Sequence, residues 1–331
     1  MKNLLFLVFS ILFSNNILAQ GCCSGGSGSP IAGGTSQGVL SEQQAEVAMN
    51  FQYVNSHKFL KGDKPTMDFL SNFNTKYLYT RIAYGVTDRL TMSIESGYFF
   101  NKTQIAINKK DKEESKGIAD LIIFPRYKVY EHNTEKKRDE ITIGLGYKIP
   151  LGKYLDSTVV YTDPKGKNFF TPKPPAVMPT TGSNDFIFYA FAFRGYPEKK
   201  FRIFVTSLYI RKGWNPLGEK FGNYGSVSLF ASKTILKKLG VTLQLKGEWI
   251  DGFQADKSAD DMLARYNIDV NSFGSKKIAI APQLNYSFGD FSFYALSELP
   301  LYQYVNGTAI ASQYLFTLGA AWRFFTVKQS E

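Results

Sequence analysis

The chain has 331 residues, of which 44% are hydrophobic and 15% aromatic, and it carries a formal net charge of +11. That length allows one large or two ordinary domains. The basic residues are scattered among connections and no base-reading helix is visible, so we expect no nucleic-acid partner. No glycine-rich phosphate loop precedes a helix, so no cofactor is expected.

The first 20 residues read as a signal peptide. Lys2 gives a positive start, residues 4–13 an apolar stretch and residues 17–20 a cleavage region. The apolar stretch is too short to span a bilayer as a helix, and no later run reaches the roughly 18 apolar residues that a span needs. We therefore expect an exported chain without helical anchors, in which residues 21–44 form a flexible Gly/Ser-rich periplasmic segment.

Two adjacent cysteines, Cys22 and Cys23, follow this leader and are the only cysteines in the chain. In an exported protein they are compatible with a disulfide between neighbours, with a lipid on Cys22, or with a soft metal such as Cu(I). They are also compatible with an incidental pair in an unstructured start. Two thiolates are too few for a closed metal site, so all of these alternatives stay open.

Stretches of alternating apolar and polar residues fill the rest of the chain. In the third stretch, for example, Leu90 and Met92 alternate with Thr91 and Ser93. Stretches of about ten residues with this period are typical of transmembrane β-strands. The twelve predicted strands cover residues 46–53, 76–86, 90–100, 118–130, 140–149, 185–195, 201–211, 225–236, 241–250, 277–288, 291–301 and 313–325.

The connections between these stretches alternate between short and long. Short connections are predicted at 87–89, 131–139, 197–199, 237–240 and 289–290, and long ones at 55–74, 101–116, 150–183, 212–223, 252–275 and 302–311. In outer-membrane barrels the short turns face the periplasm and the long loops face outside.

This alternation predicts an all-β fold, a closed antiparallel transmembrane β-barrel of about 12 strands, with 10–14 allowed. The barrel would span residues 45–325 in the outer membrane of a Gram-negative bacterium, with a short tail at 326–331. An even strand count places both termini in the periplasm. The strands of a soluble sandwich are the alternative, but a sandwich has no reason to keep short and long connections in strict alternation.

The faces of the strands follow from burial in lipid. Because lipid cannot satisfy backbone polar groups, the sheet must close, and charged side chains belong on its inner face. Leu243 and Leu245 are then predicted to face the lipid. Outer-membrane lipid is therefore an expected partner of the chain, together with a small solute. The predicted lumen-lining residues are Tyr77, Tyr79, Arg81, Glu95, Asp120, Arg126, Lys128, Lys148, Arg194, Arg202, Gln244, Lys246, Glu248, Glu298 and Arg323.

Positive charge dominates this inner set, and a basic lumen favours anions. The same charges would close the lumen if they paired across it, and twelve strands lie between filled and open barrel sizes. Inward aromatics, among them Phe124 and Phe188, either contact an apolar solute or pack together. If the lumen is open, Arg81→Glu and Arg126→Glu should change ion selectivity more than folding.

Five motifs occur in the order found in a known family. They are Tyr84–Leu90, Gly117–Asp120, Gly144–Gly152, Thr181–Asp185 and Leu318–Phe324. Together they resemble the outer-membrane protein family named after the meta-cleavage pathway of phenol degradation. The family is distantly similar to barrels that pass hydrophobic compounds, so the resemblance implies transport. Ala119 and Leu151 depart from its pattern.

The sequence thus predicts a channel or transporter for a small solute, such as a hydrophobic or aromatic compound or an anion. The alternatives are a barrel with a plugged lumen that binds a partner through loops such as 150–183, and a metal-linked export barrel that uses Cys22 and Cys23. An enzyme is not expected, because the only histidines, His57 and His132, fall in connections without an evident serine partner. The oligomeric state stays open.

Overall fold

The computed structural model describes residues 38–68, 70–108, 111–236, 238–257 and 273–327. The predicted signal peptide, the Cys22–Cys23 pair and the last four residues of the predicted tail lie outside the described residues. No helix within these residues has the length and apolar character needed to cross a membrane.

Twelve antiparallel strands form a single closed barrel, as the sequence predicts. Each strand pairs with its neighbours along the chain, and the first pairs with the last, from Gln44 opposite Phe325 to Asn55 opposite Tyr314. The strands are β1 (Gln44–Ser56), β2 (Leu70–Thr87), β3 (Leu90–Ala106), β4 (Leu121–Asn133), β5 (Arg138–Ile149), β6 (Asp185–Tyr196), β7 (Phe201–Arg211), β8 (Tyr224–Thr234), β9 (Leu239–Ile250), β10 (Ser275–Phe288), β11 (Phe291–Ile310) and β12 (Tyr314–Phe325).

The two faces of the wall differ in the way that the alternation predicts. On β2, Arg81 is 4% exposed and points inward, whereas the next residue, Ile82, is 62% exposed on the outer face. On β9, Leu243 and Leu245 are exposed and the intervening Gln244 is half-buried. A continuous outer surface of large apolar side chains around a polar interior is the pattern of a transmembrane barrel.

Several strands extend past the predicted ends, on the side of the long connections. β2 and β3 have 18 and 17 residues. The predicted loop 302–311 is wrong, because β11 continues to Ile310. It bends at Asn306–Gly307, where Gly307 has φ 62°, and then pairs with a short strand at Phe59–Gly62. Backbone hydrogen bonding between two loops turned both into strands.

Further short elements lie at the same end of the barrel, which we call the long-loop end. Lys112–Ile118 pairs with β3, so Ile118 belongs to this extension and β4 begins only at Leu121. Among the described residues, the other short elements are strands at Lys64–Thr66, Ser157–Thr162, Asn168–Pro172, Glu219–Lys220 and Gln254–Ala255, and one 3-10 turn at Pro175–Val177. At the opposite, short-turn end, the connections between the strands that the structure describes are short.

Candidate functional site in the barrel lumen

An ion-pair network joins the strands at which the barrel closes. Glu46 on β1 is 0% exposed, and its carboxylate accepts hydrogen bonds from Arg81 on β2 and, at 2.6 Å, from Arg323 Nε on β12. We call this the seam network. A buried carboxylate with two guanidinium partners is well compensated, because each charge-assisted hydrogen bond offsets its desolvation.

The neighbouring inward positions are also engaged. Tyr79 Oη donates to Glu95 Oε2 at 2.5 Å, and Ser93 Oγ donates to Glu95 Oε1 at 2.9 Å. Arg126 packs over the Phe124 ring at 5.9 Å. Since Arg81 and Arg126 are both buried, substitution by glutamate would place an uncompensated charge in the wall. The expectation that these changes affect selectivity more than folding is therefore revised.

A second network lies on β9, β10 and β11, next to the seam strand β12 and towards the long-loop end. Lys246 Nζ lies 2.7 Å from Glu248 and 3.1 Å from Glu298, and Lys277 Nζ lies 2.8 and 2.7 Å from the same two carboxylates. The two lysines and two glutamates alternate around a four-membered ring. Its two positive and two negative charges sum to zero, so this part of the wall carries no net charge.

A third network holds a long loop against the inner wall. Lys148 Nζ lies 2.7 Å from Asp120 and 2.9 Å from Asp185, and it also donates to Thr181 Oγ1 at 3.2 Å. Lys212 Nζ lies 3.5 Å from Asp185. Burial lowers the pKa of Lys212, against the attraction of Asp185. Because Lys148 points inward, the segment around Thr181 lies inside the opening.

The same loop, residues 150–184, is anchored at a second place. Lys102 is 1% exposed, and its Nζ donates to the backbone oxygen of Met178 at 2.8 Å. Asn215 Nδ2 donates to the backbone oxygen of Thr181 at 3.0 Å. The loop predicted to lie outside the barrel therefore folds back and narrows the long-loop end.

Apolar side chains fill one side of the lumen, from the long-loop end inward. Phe124, Ile187 and Tyr189 belong to a single buried cluster, and the Phe124 and Tyr189 rings meet edge to face at 5.7 Å. Gly146 makes room for them, since a Cβ there would lie 3.0 Å from both the Phe124 ring and the Ile187 Cβ. This sector of the barrel is packed and not water-filled.

A short segment before β1 enters the short-turn end of the lumen. We call residues 38–43 the strap. Leu40 is 2% exposed, its backbone N–H donates to Thr91 Oγ1 at 2.7 Å, and Arg126 Nη1 donates to the Gly38 oxygen at 2.8 Å. The strap belongs to the segment predicted to be flexible. Its residues 38–40 lie against the inner wall, where these groups satisfy part of its backbone, and residues 41–43 are exposed.

A cavity of about 480 Å³ remains between the strap and the far wall, at the short-turn end. Turn residues Thr234, Lys238 and Gly240 border it, so it lies next to the mouth. The other lining residues are Gly38, Val39, Glu140, Phe191, Phe193, Arg202, Phe204, Phe230, Ser232, Thr242, Gln283, Asn285, Ser287, Ser292 and Arg323.

The structure distributes the sequence-predicted lumen residues as follows. Buried in the interior are Tyr77, Tyr79, Arg81, Glu95, Arg126 and Lys148; half-buried are Asp120, Lys128, Gln244, Lys246, Glu248, Glu298 and Arg323. Arg202 is exposed to the cavity. It lies on the cavity wall with Arg323 of the seam network. Most of the other residues belong to the three networks or lie beside the seam network, but Tyr77, Lys128 and Gln244 contact Phe99, Glu131 and Ser228 instead.

The inward assignment of Arg194 and Phe188 is wrong. Arg194 lies on the outer face of β6 with a side chain 53% exposed, where it pairs with Asp139 at 2.7 Å. Phe188 lies on the same outer face, and the residues on either side of it, Ile187 and Tyr189, point inward. Arg194 is close to the short-turn end of its strand, where a long basic side chain can reach the polar membrane interface from the outer face.

Sequence reasoning missed several inward groups. Glu46, Lys102, Lys277 and Asp185 complete the networks, and strand alternation alone places Glu46 and Lys277 on the inner faces of β1 and β10. Lys102 had no such signal, because the register between β3 and its neighbour shifts between Phe99 and Lys102.

The fold is shared with a solved outer-membrane channel. The COG4313 outer-membrane channel from Pseudomonas putida F1 matches with a TM-score of 0.67 at 13% identity, covering 88% of this chain and 99% of that one. The translocator domain of the autotransporter NalP from Neisseria meningitidis matches with a TM-score of 0.46 at 11% identity, over 86% and 90%. A Pseudomonas aeruginosa FadL homologue matches with a TM-score of 0.41 at 8% identity, over 84% and 90%.

The first of these similarities shows a common barrel fold, and the other two are too distant to argue from. No protein-family profile and no curated protein sequence matches the chain. Membership in the phenol-degradation family therefore stays a prediction.

Proposed function

We propose that this protein is an outer-membrane channel or transporter for small solutes. Its outer face suits lipid and its wall closes on itself, which leaves no unpaired edge in the bilayer. The short turns would face the periplasm and the long loops the outside. In this orientation the loop 150–184 lies in the extracellular opening of the barrel, and the strap lies in the periplasmic opening.

The observation that carries the proposal is the cavity inside the wall at the short-turn end. A barrel that serves only as a scaffold or as a loop platform does not need a 480 Å³ space lined by charged, polar and aromatic side chains. Its size is within the range of small-molecule sites. The filled sector around Phe124 and the folded loop make the route narrow, which favours selective passage over the open flow of a wide porin.

An enzyme on the barrel wall is not favoured by the described residues. His57 and His132 are both exposed, and they lie at opposite ends of the barrel. Neither imidazole has a serine hydroxyl within hydrogen-bond reach among the described residues, so the base–nucleophile pair of a hydrolase has no counterpart here.

Single-channel conductance in a planar bilayer tests this function. The folded protein, checked by its heat-dependent gel mobility, should give discrete and long-lived current steps. With a salt gradient across the bilayer, the reversal potential should favour anions, because the cavity lining carries Arg202 and Lys238 against the single carboxylate Glu140, besides Arg323 with its partner Glu46. A folded barrel that passes neither ions nor small sugars in a liposome-swelling assay would overturn the proposal and favour a loop-based binding role.

A further inference from the structure

Four phenylalanines form a continuous aromatic wall on one side of the cavity. Phe204 and Phe230 stack with ring centroids 4.4 Å apart and planes at 14°. Phe191 lies 6.0 Å from Phe204 and 6.2 Å from Phe193. All four rings line the same space. They belong to β6, β7 and β8, so adjacent strands present them on one inner surface.

A basic group lies directly beside this wall. The Phe193 ring and the Arg202 side chain both pass over Gly195, where a Cβ would lie 2.8 Å from the ring and 3.8 Å from Arg202 Cγ. The guanidinium has a weak contact with Ser232 Oγ at 3.4 Å, and no carboxylate among the described residues pairs with it. Lys238, at the same mouth, lies over the Phe288 ring at 4.7 Å.

The one carboxylate in the lining is already engaged. Glu140 Oε1 accepts a hydrogen bond from Thr142 Oγ1 at 2.7 Å and from the strap at Val39 N, at 3.4 Å. Arg323 is bound to Glu46, outside the cavity. These neutral donors leave Glu140 negatively charged, and the charge of Arg323 is offset by Glu46. The lining is net positive because Arg202 and Lys238 outnumber the one carboxylate.

The wall next to the rings, on β8, β9 and β10, is polar and its side chains are hydrogen-bonded to one another. Thr242 Oγ1 donates to Ser232 Oγ at 2.9 Å, Asn285 Nδ2 donates to Thr242 Oγ1 at 3.0 Å, and Gln283 and Asn285 are hydrogen-bonded to each other. These hydrogen-bonded side chains do not require a specific ligand group, but they keep this part of the cavity wall polar and hydrated. A solute would therefore place its apolar surface on the phenylalanines.

We propose that the cavity binds small carboxylates that carry an aromatic ring, with the carboxylate at Arg202 and the ring against Phe193 and Phe204, the two half-buried rings of the wall. A guanidinium matches a carboxylate through two parallel hydrogen bonds, and aromatic rings pack favourably at offsets like those of the wall. A volume of about 480 Å³ holds a molecule of one or two rings. This inference deepens the proposed function by naming the solute class of the channel.

Calorimetric titration of the protein in detergent micelles tests the site without requiring conduction. Benzoate is the probe, and acetate, cyclohexanecarboxylate and benzyl alcohol are the comparison solutes. Benzoate should bind most tightly, because it alone has both the charge and the flat ring. Arg202→Gln should weaken benzoate binding at least tenfold, about the factor for one lost charge-assisted hydrogen bond, and should leave benzyl alcohol binding unchanged.

Two further variants make the result specific. Arg211→Gln is the matched control, because Arg211 lies on the same strand but at its long-loop end and on the exposed side. It should bind benzoate like the unchanged protein. Phe204→Leu keeps an apolar side chain in a folded wall, and it should remove the preference for benzoate over cyclohexanecarboxylate.

Equal benzoate affinity in the Arg202→Gln and Arg211→Gln variants would overturn the inference, as would equal affinity for benzoate and acetate in the unchanged protein. These failures are separate from failure of the proposed function. A barrel that conducts ions but ignores benzoate is a channel for another solute. One that binds benzoate through Arg202 but passes nothing is a binding protein with this site.

Discussion

Replacing Glu46 by glutamine should weaken the barrel at the point where it closes. Glu46 is fully buried on β1, and its carboxylate binds Arg81 on β2 and Arg323 on β12. Glutamine has the same shape but no charge, so it leaves two guanidinium groups without their counter-ion. The pairing between β1 and β12 then loses its buried ion pair and rests on backbone hydrogen bonds and on contacts such as that between Asn55 and Tyr314.

The size of the effect follows from the burial of each partner. Breaking a buried ion pair from one side costs about 3–5 kcal/mol. Arg81 is buried and contributes that full range, whereas the Arg323 side chain is 33% exposed and solvent screens much of its share. Because the glutamine oxygen can still accept one hydrogen bond, we expect a loss of about 3 kcal/mol in the free energy of unfolding.

Equilibrium unfolding in urea, in lipid vesicles and with tryptophan fluorescence as the signal, measures this loss. Trp322 lies on the outer face of β12 and reports on the seam. The control is Glu131→Gln, which removes a partner of Lys128 from an ion pair whose carboxylate side chain is 43% exposed, and should cost less than about 1 kcal/mol. The reasoning is refuted if Glu46→Gln is no more destabilising than this control.

Three other changes probe the outer face, the folded loop and a buried carboxyl group. Leu243→Arg, on the exposed face of β9, should lower the free energy of unfolding in vesicles by about 2–4 kcal/mol. Gln244→Arg, on the inner face, should lower it clearly less. Equal losses for the two variants would contradict the assigned faces. Lys102→Met should release the loop 150–184 and so raise the single-channel conductance. Lys112→Met, which removes an exposed ion pair, should leave the conductance unchanged. Unchanged conductance in both variants would place the constriction elsewhere. Burial raises the pKa of Glu219, outside the barrel strands, so this group makes the folded state less stable as the pH rises past the usual carboxyl range. Glu219→Gln should therefore reduce the loss of thermal stability between about pH 4 and about pH 7, and a variant that melts in parallel with the unchanged protein would argue against that burial effect.

The strand alternation predicted most inner and outer positions, but it failed on β6. In that strand both faces carry large side chains, for example Ile187 and Phe188, so apolar character does not distinguish them. The assignment of the inner face of β6 then depended on Arg194, because a charged side chain was expected to point into the lumen. That expectation holds at mid-membrane depth and not near a strand end, where Arg194 pairs with Asp139 on the outer face.

The cavity shows a related limit. Arg202 is identifiable from the sequence as an inward basic residue, but the aromatic wall is not. Phe191, Phe204 and Phe230 come from three strands, and nothing in any single strand indicates that their rings meet. The strap adds the other side of the space, and its packing depends on hydrogen bonds to β3 and β4.

The sequence by itself determined the strand count, the antiparallel order and most of the inner and outer faces. These are local properties: a period of two follows from the β backbone, and the lengths of the connections fix which ends lie together. Only the tertiary structure decided which charges pair and which part of the lumen is filled. Glu46 and Arg323 are 277 residues apart in the chain, and they meet because the sheet closes. Distances across a closed barrel depend on the packing of all strands and loops together, and no local pattern encodes them.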